Sequence, residues 1–474
     1  MSTSRAVARN TLFLSAAQGI RILLAFALIL YIANVFGPVW QGKFSILVAF
    51  LNIFMVLSSF GMPRLITREV ARDYSAGNRH FWSGLAAQGG TTVIFMVVMA
   101  AVVALMPYPA DTKQMLWLAV LALPLFSLYS LAGSLLRAHE RMQYLVYAEV
   151  LSAVAQLTLA VALLSAGGGV LTLAIIRIGG IGLAALAVLI STLAQGYIGR
   201  PDFDFGFAAR LLRESLDFFG MAGFDAALQR LDVLVLSVLA GEAATGIYDA
   251  AFQLIKVLMV LILSFTDALY PALSRLYIHA RDRFATAAEK ALQYGVILLL
   301  PVTVGTSILA PDIIALFYHR SDYTRSGTVL AILSWALTAY FAQILLSRTL
   351  MAGDKPRAAF LIIAGMVAGG LAVLAGMIAW LGPVGAAWGV LFIYAGGASS
   401  SWLACRAYAL SPDIARLGRA ALAAALMGAA LLLSPPLSLF IKIPLAAAVY
   451  GALSLILRVF DREDVQVLRA IARG

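Results

Sequence analysis

Apolar residues along this chain fall in long unbroken runs rather than in alternation. Runs of about 20 residues, the length that crosses a hydrocarbon layer, recur at 11–36, 43–60, 82–106, 115–136, 144–165, 170–195, 217–239, 247–269, 291–310, 328–350, 359–380, 385–405, 419–434 and 443–460. Turn residues punctuate them, as in "FGPVWQG", "AGGG", "LGPVG" and "SPPL". Backbone groups in lipid need internal partners, so a spanning segment is a helix or part of a closed barrel. Continuous runs without a two-residue period select helices. The pattern predicts an all-α polytopic membrane protein with about fourteen transmembrane helices.

Composition agrees. Of 474 residues, 62% are hydrophobic and 12% charged, and the mean hydropathy of +0.94 exceeds what a soluble core can use. The leader "MSTSRAVARN" runs into the first span without a small-residue cleavage site, so that span is expected to be an uncleaved helix.

The net charge of +11 would suggest nucleic acid in a soluble protein. Here the basic residues sit in short loops and aromatic residues are not interleaved with them. With the N-terminus in the cytoplasm, alternate loops collect Arg64, Arg68, Arg72, Arg137, Arg141, Arg200, Arg210 and Arg213 among many others. The opposite side receives Lys43, Lys113, Arg320, Arg325 and Lys442. This asymmetry predicts both termini on the cytoplasmic side.

Signatures of enzymes and metal sites are missing. The one cysteine, Cys405, forms neither a disulfide framework nor a metal site and reads as packing. His80, His139, His279 and His319 fall in predicted loops without ligand spacing. No phosphate-cradling Gly-Lys-Ser/Thr loop occurs. No metal, cofactor or catalytic residue is expected, and a transporter is favoured over an enzyme.

An internal repeat organises the spans. "VFGPVWQGKFSILVAFLNIFMVL" lies over "LAGEAATGIYDAAFQLIKVLMVL" without a gap, matching Gly37 to Gly241, Gly42 to Gly246, Phe44 to Tyr248 and Asn52 to Lys256. "LLRAHER" after the fourth run corresponds to "TLMAGDK" after the tenth. Two six-helix halves of this kind form a common transporter plan with the substrate path at the repeat interface. The expected organisation is a first lobe over 1–199, a cytoplasmic linker over 200–216 with an in-plane amphipathic helix, and a second lobe over 217–408. Two accessory helices and a cytoplasmic tail fill 409–474.

Chemistry is concentrated in charges inside the spans. A charge at the bilayer centre costs about 2.5–3.5 kcal/mol even on lenient scales, so such residues face a wet cavity or one another. The basic ones are Arg21, Arg177, Arg230 and Lys256; the acidic ones are Glu149, Asp225, Asp232, Asp249 and Asp267. Helical spacing aligns them. Asp249, Gln253, Lys256, Ser264 and Asp267 share a seam of the eighth span, and Asp225, Gln229 and Asp232 one side of the seventh. Ser45, Asn52 and Ser59 repeat every seven residues in the second, and Thr11, Ser15, Gln18 and Arg21 form a stripe in the first. Four polar stripes would line a central cavity. Its expected ligand contacts are Arg21, Lys256, Arg230, Asn52, Gln18 and Gln253, with Asp225, Asp232, Asp249 and Glu149 as candidate ion-coupling acids. In the bland alternative Lys256 neutralises Asp249 or Asp232. Arg177 and Glu149 are expected to form a structural pair, and Asp267 and Arg64, near the cytoplasmic helix ends, to snorkel toward headgroups or form a gate.

The run "LRESLDFF…LQRLDVLVLSVLAGEAATGIYDAAFQL" resembles the start of the second half of the polysaccharide transporter, or oligosaccharide flippase, family of the MOP flippase superfamily. "NVFGPVWQGKFS" resembles the matching turn of the first half, "FGMPRLITREVA" and "LLRAHERMQ" two of the cytoplasmic loops, and "DREDVQVL" the acidic tail. The resemblance implies a two-lobed, fourteen-helix protein of the inner membrane. It also implies alternating-access flipping of undecaprenyl-pyrophosphate-linked oligosaccharide for O-antigen, capsule or exopolysaccharide assembly. Polysaccharide polymerase and glycosyltransferases are its implied partners, and a monomer is expected. Basic groups in a wet cavity suit a pyrophosphate. A peptidoglycan-precursor flippase is the near alternative. A multidrug and cation antiporter is more distant, because its first helix would need an acid where this one carries Arg21. A membrane glycosyltransferase would need large outer loops that the chain lacks.

Overall fold

The computed structural model describes residues 2–228, 230–408, 410, 412–435 and 437–460, without the side chains of 2–16, 217, 221, 222 and 224–228. Its described residues form helices and connecting turns, with no strand. In chain order the helices are α1 (Ser2–Phe36), α2 (Pro38–Ser59), α3 (Met62–Arg72), α4 (Gly77–Leu105), α5 (Ala110–Ala119), α6 (Ala122–Ala138), α7 (Met142–Ser165) and α8 (Leu171–Ala194). They continue with α9 (Phe205–Leu228), α10 (Leu231–His279), α11 (Arg281–Phe317), α12 (Thr324–Ala352), α13 (Pro356–Leu381), α14 (Pro383–Cys405), α15 (Ile414–Leu433) and α16 (Leu439–Ile456). Among the described residues, twelve helical segments are long and apolar enough to cross a membrane. The acidic tail from Asp461 onward lies outside the described residues.

Two helices differ from the sequence expectation for identifiable reasons. The expected loop "FGMPRLITREVA" is helix α3, with Met62, Leu65, Ile66 and Val70 buried and Arg64, Arg68 and Arg72 on the opposite, exposed face. That is an amphipathic 3.6-residue pattern too short to span a bilayer, so a hydropathy search passes over it. The fourth span is divided: α5 ends at Ala119, Val120 and Leu121 form a turn, and α6 resumes at Ala122. His80 belongs to α4 and His279 ends α10, rather than lying in loops; the His80 Nδ1 lies 2.8 Å from the Ala76 carbonyl. Cys405 is buried, its thiol 3.7 Å from the Leu346 carbonyl, in keeping with a packing role.

Helix α9 starts in the segment expected to be a linker and runs to Leu228. Its first turn is capped by Asp204, whose Oδ1 accepts from the Phe207 amide at 2.9 Å while Oδ2 takes Arg79 at 2.5 Å. The residues before it are tied to α4. Asn78 donates to the Arg200 carbonyl at 3.0 Å and accepts from the Gly199 amide at 2.7 Å.

The chain divides into two compact units, Met1–Gly246 and Ile247–Gly474. In the first, one apolar cluster gathers Ile46, Leu47, Leu51, Leu116 and Leu123 around α2, α5 and α6. A second joins Met62, Ile66, Phe81 and Leu135 at the α3 end. In the second unit, Leu309, Met427, Leu431 and Tyr450 hold α15 and α16 against α11.

Backbone geometry supports the repeat. Gly37, before α2, has φ 85° and ψ −174°; Gly241, which interrupts α10, has φ 80° and ψ −176°. This region of backbone space is open essentially to glycine alone. Two residues matched from sequence thus share one rare conformation.

Candidate functional site

Three arginines of the first unit are linked electrostatically through Arg177. One turn apart on α1, Gln18 and Arg21 bond to each other at 3.3 Å, the i,i+3 spacing that faces both side chains the same way. The Arg21 guanidinium also meets Glu149 of α7 at 3.3 Å, with both side chains about one-third exposed. Glu149 in turn accepts from Tyr129 of α6 at 2.8 Å. Arg177 of α8 lies within electrostatic reach of both Arg21 and Arg230. Arg230 sits in the break between α9 and α10 and is buried, as is Asp232 two residues on.

The partners of Arg177 set it apart. Its Nη1 donates at 3.0 Å to the amide oxygen of Gln156, and Gln156 is itself held by Ser152 at 3.0 Å. Gly180 makes room for this amide, because a Cβ there would overlap the Gln156 side chain. The Nε of Arg177 is a buried donor with no hydrogen-bond partner among the described residues. A guanidinium bound by a neutral amide keeps its charge uncompensated, and a buried cation without its anion is costly. The expected Arg177–Glu149 pair is therefore corrected: Glu149 goes to Arg21. Sequence placed Arg177 and Glu149 on adjacent spans and Arg21 on the first, but carried no information on which arginine the carboxylate would reach.

The other expected contacts divide. On α2, Asn52 is half-buried, whereas Ser45 and Ser59 are buried and Ser59 donates to the Val56 carbonyl of its own helix. In the second unit, the α10 seam holds Asp249 and Gln253 in the interior, with the Gln253 amide 3.0 and 3.2 Å from the two Asp249 carboxylate oxygens. Tyr323 lies within electrostatic reach of that carboxylate. Lys256, one turn further along, is exposed. The Asp225 side chain and Gln229 lie outside the described residues.

Two ion-pair groups were not anticipated from the sequence. Arg348 of α12 donates at 2.6 Å to the half-exposed Asp267. The lone Arg348 inside the tenth apolar run was the available signal. Lys43, expected in an outer loop, is buried on α2 and pairs with Asp111 and, at 3.4 Å, with Glu242. No sequence pattern joins residues this far apart.

The comparisons with known proteins bear on this architecture. A putative O-antigen transporter of Escherichia coli (strain K12) is 22% identical over 321 residues, covering 65% of this chain and 76% of that protein. The structure of the lipid II flippase MurJ in an inward closed conformation is similar with a TM-score of 0.80, at 15% identity over 94% of this chain and 99% of that one. An inward-facing multidrug resistance MATE transporter of the MOP superfamily is similar with a TM-score of 0.67, at 15% identity over 82% and 94%. At these identities the likeness to both solved structures is one of fold. The model of a polysaccharide biosynthesis protein family matches residues 7–277, more than half of the sequence, and the chain belongs to that family.

Proposed function

We propose that this protein flips a polyprenyl-pyrophosphate-linked oligosaccharide across the cytoplasmic membrane by alternating access, for assembly of a surface polysaccharide. The observation that carries the reading is the grouping of Arg21, Arg177 and Arg230, with Arg177 held by a neutral amide. A pyrophosphate offers several anionic oxygens, and guanidinium forks bind these in pairs. Gln18 and Asn52 supply neutral donors of the kind that grip sugar hydroxyls, and the exposed Lys256 a further cation. The relative named as an O-antigen transporter supports the substrate class. A protein of fourteen spans with both termini cytoplasmic, acting as a monomer beside glycosyltransferases and a polymerase, fits the charge asymmetry and this chemistry. Asp249, Asp232, Asp225 and Glu149 are the candidate ion-coupling acids; Glu149, bonded to Arg21, ties any change in its charge to the anion site.

The deciding experiment uses purified protein in vesicles and a labelled lipid-linked oligosaccharide. Arg21→Ala, Arg177→Ala and Lys256→Ala variants run alongside. Full transport by all three at normal expression would remove the anion site from the mechanism. A lipid-linked peptidoglycan precursor and a cationic dye serve as competing cargo. Preference for either would reassign the substrate.

A further inference from the structure

The two glycines matched by the repeat, Gly42 and Gly246, lie against one another's turns. A Cβ on Gly42 would overlap the carbonyl oxygen of Glu242, and a Cβ on Gly246 would overlap that of Pro38. Pro38 and Glu242 are themselves repeat mates, so the contact is reciprocal, as a two-fold relation between the turns requires. At the two glycines it is backbone on backbone. Each turn opens on a glycine in the glycine-only conformation, Gly37 and Gly241, immediately before it.

A charge clamp sits on this crossing. The residue after Gly42, Lys43, reaches Asp111 at the start of α5 and Glu242 in the facing turn. Glu242 also accepts from the buried Thr112 hydroxyl. Lys43 and Glu242 are 7% and 10% exposed, whereas Asp111 is 47% exposed, so the clamp is buried on one side and wet on the other. Beneath it, the buried Tyr108 and Ser237 hydroxyls bond at 2.7 Å. Alternation of the basic loops puts this end of the molecule on the extracytoplasmic side.

From these features we infer that the Gly42–Gly246 crossing and the Lys43–Asp111–Glu242 clamp form a latch, which parts and re-forms as the transporter cycles. The inference rests on the flippase reading for the purpose of the motion, not for the latch itself. At the glycines themselves the contact is backbone against backbone, so parting there withdraws no side-chain knob. Buried ion pairs add little net stability over apolar packing, and their best-attested use is to set register or act as switches. The paired glycines give each turn a backbone pivot no other residue supplies.

The test reads opening without substrate. In a Cys405→Ala background, which removes the one native thiol, Ser237→Cys reports access to a membrane-impermeant maleimide. Gly42→Ala, Gly246→Ala and Lys43→Met should each raise its labelling on the order of tenfold by shifting the closed–open balance, and Lys43→Arg should not. Separately, Lys43→Cys with Glu242→Cys, joined by a short reducible cross-linker, should stop transport, and reductant should restore it. The Lys43→Met and cross-linking arms stand even if a glycine variant fails to fold. Unchanged labelling in the folded variants, or full transport by the cross-linked protein, would make the cluster a static staple and overturn the latch. A labelling shift in a protein that flips no lipid-linked sugar would support the latch and sink the flippase reading instead.

Discussion

A guanidinium resting on an amide retains its charge for a ligand, which is why Arg177 carries the sharpest residue-level expectation. Arg177→Gln keeps a donor on a shorter side chain and removes the charge. It should lower transport on the order of 10- to 100-fold, the range of one lost charge-assisted hydrogen bond at about 1.5–3 kcal/mol. Initial rates in vesicles check this, with Gln156→Ala as the companion. Loss of that amide frees the guanidinium to move, so affinity should weaken more than turnover. Lys256→Met should reduce transport if the exposed lysine meets the ligand; a large fall in the thermal midpoint with transport intact would assign the lysine to packing. The charges themselves were legible in the sequence, since each interrupts an apolar run. Their partners were not: Glu149 is one carboxylate within reach of several helices, and helix placement gave it to Arg21.

Elements were legible where hydropathy alone determines them and not where amphipathicity or turns do. Helix α3 hides its apolar face by burying Met62, Leu65, Ile66 and Val70, so no average over a window shows it. The turns before α2 and inside α10 make a specific prediction. Gly37→Ala and Gly241→Ala should each cost about 1–3 kcal/mol from backbone strain alone, visible as a lower unfolding midpoint in detergent. Equal midpoints would mean that the turns relax into another conformation. The start of α9 should respond to acid. The Phe207 amide first, and Arg79 second, hold the Asp204 carboxyl below its ordinary value. A carboxylate depressed in the folded state contributes stability above its unfolded pKa of about 3.9. That contribution disappears as pH falls through the lower folded value. Amide exchange at Phe207 should therefore quicken below about pH 4 in the parent and be fast and pH-insensitive by this route in Asp204→Asn.

At the scale of the whole molecule, charge asymmetry predicts that reporters fused at both termini are active only in the cytoplasm. An extracytoplasmic signal from either one would break the alternation. The sequence by itself determined the helical class and the membrane, because backbone polar groups in hydrocarbon leave a long apolar run no other solution. It also determined the repeat, whose glycine matches return as one shared backbone conformation. Only the tertiary structure decided who meets whom. It assigned Glu149 to Arg21 and Gln156 to Arg177, and it set Lys43 among Asp111, Thr112 and Glu242. Hydrophobicity is a property of a segment and can be summed along the chain. An ion pair or a glycine crossing is a property of two segments distant in sequence, and it exists only once packing brings them together.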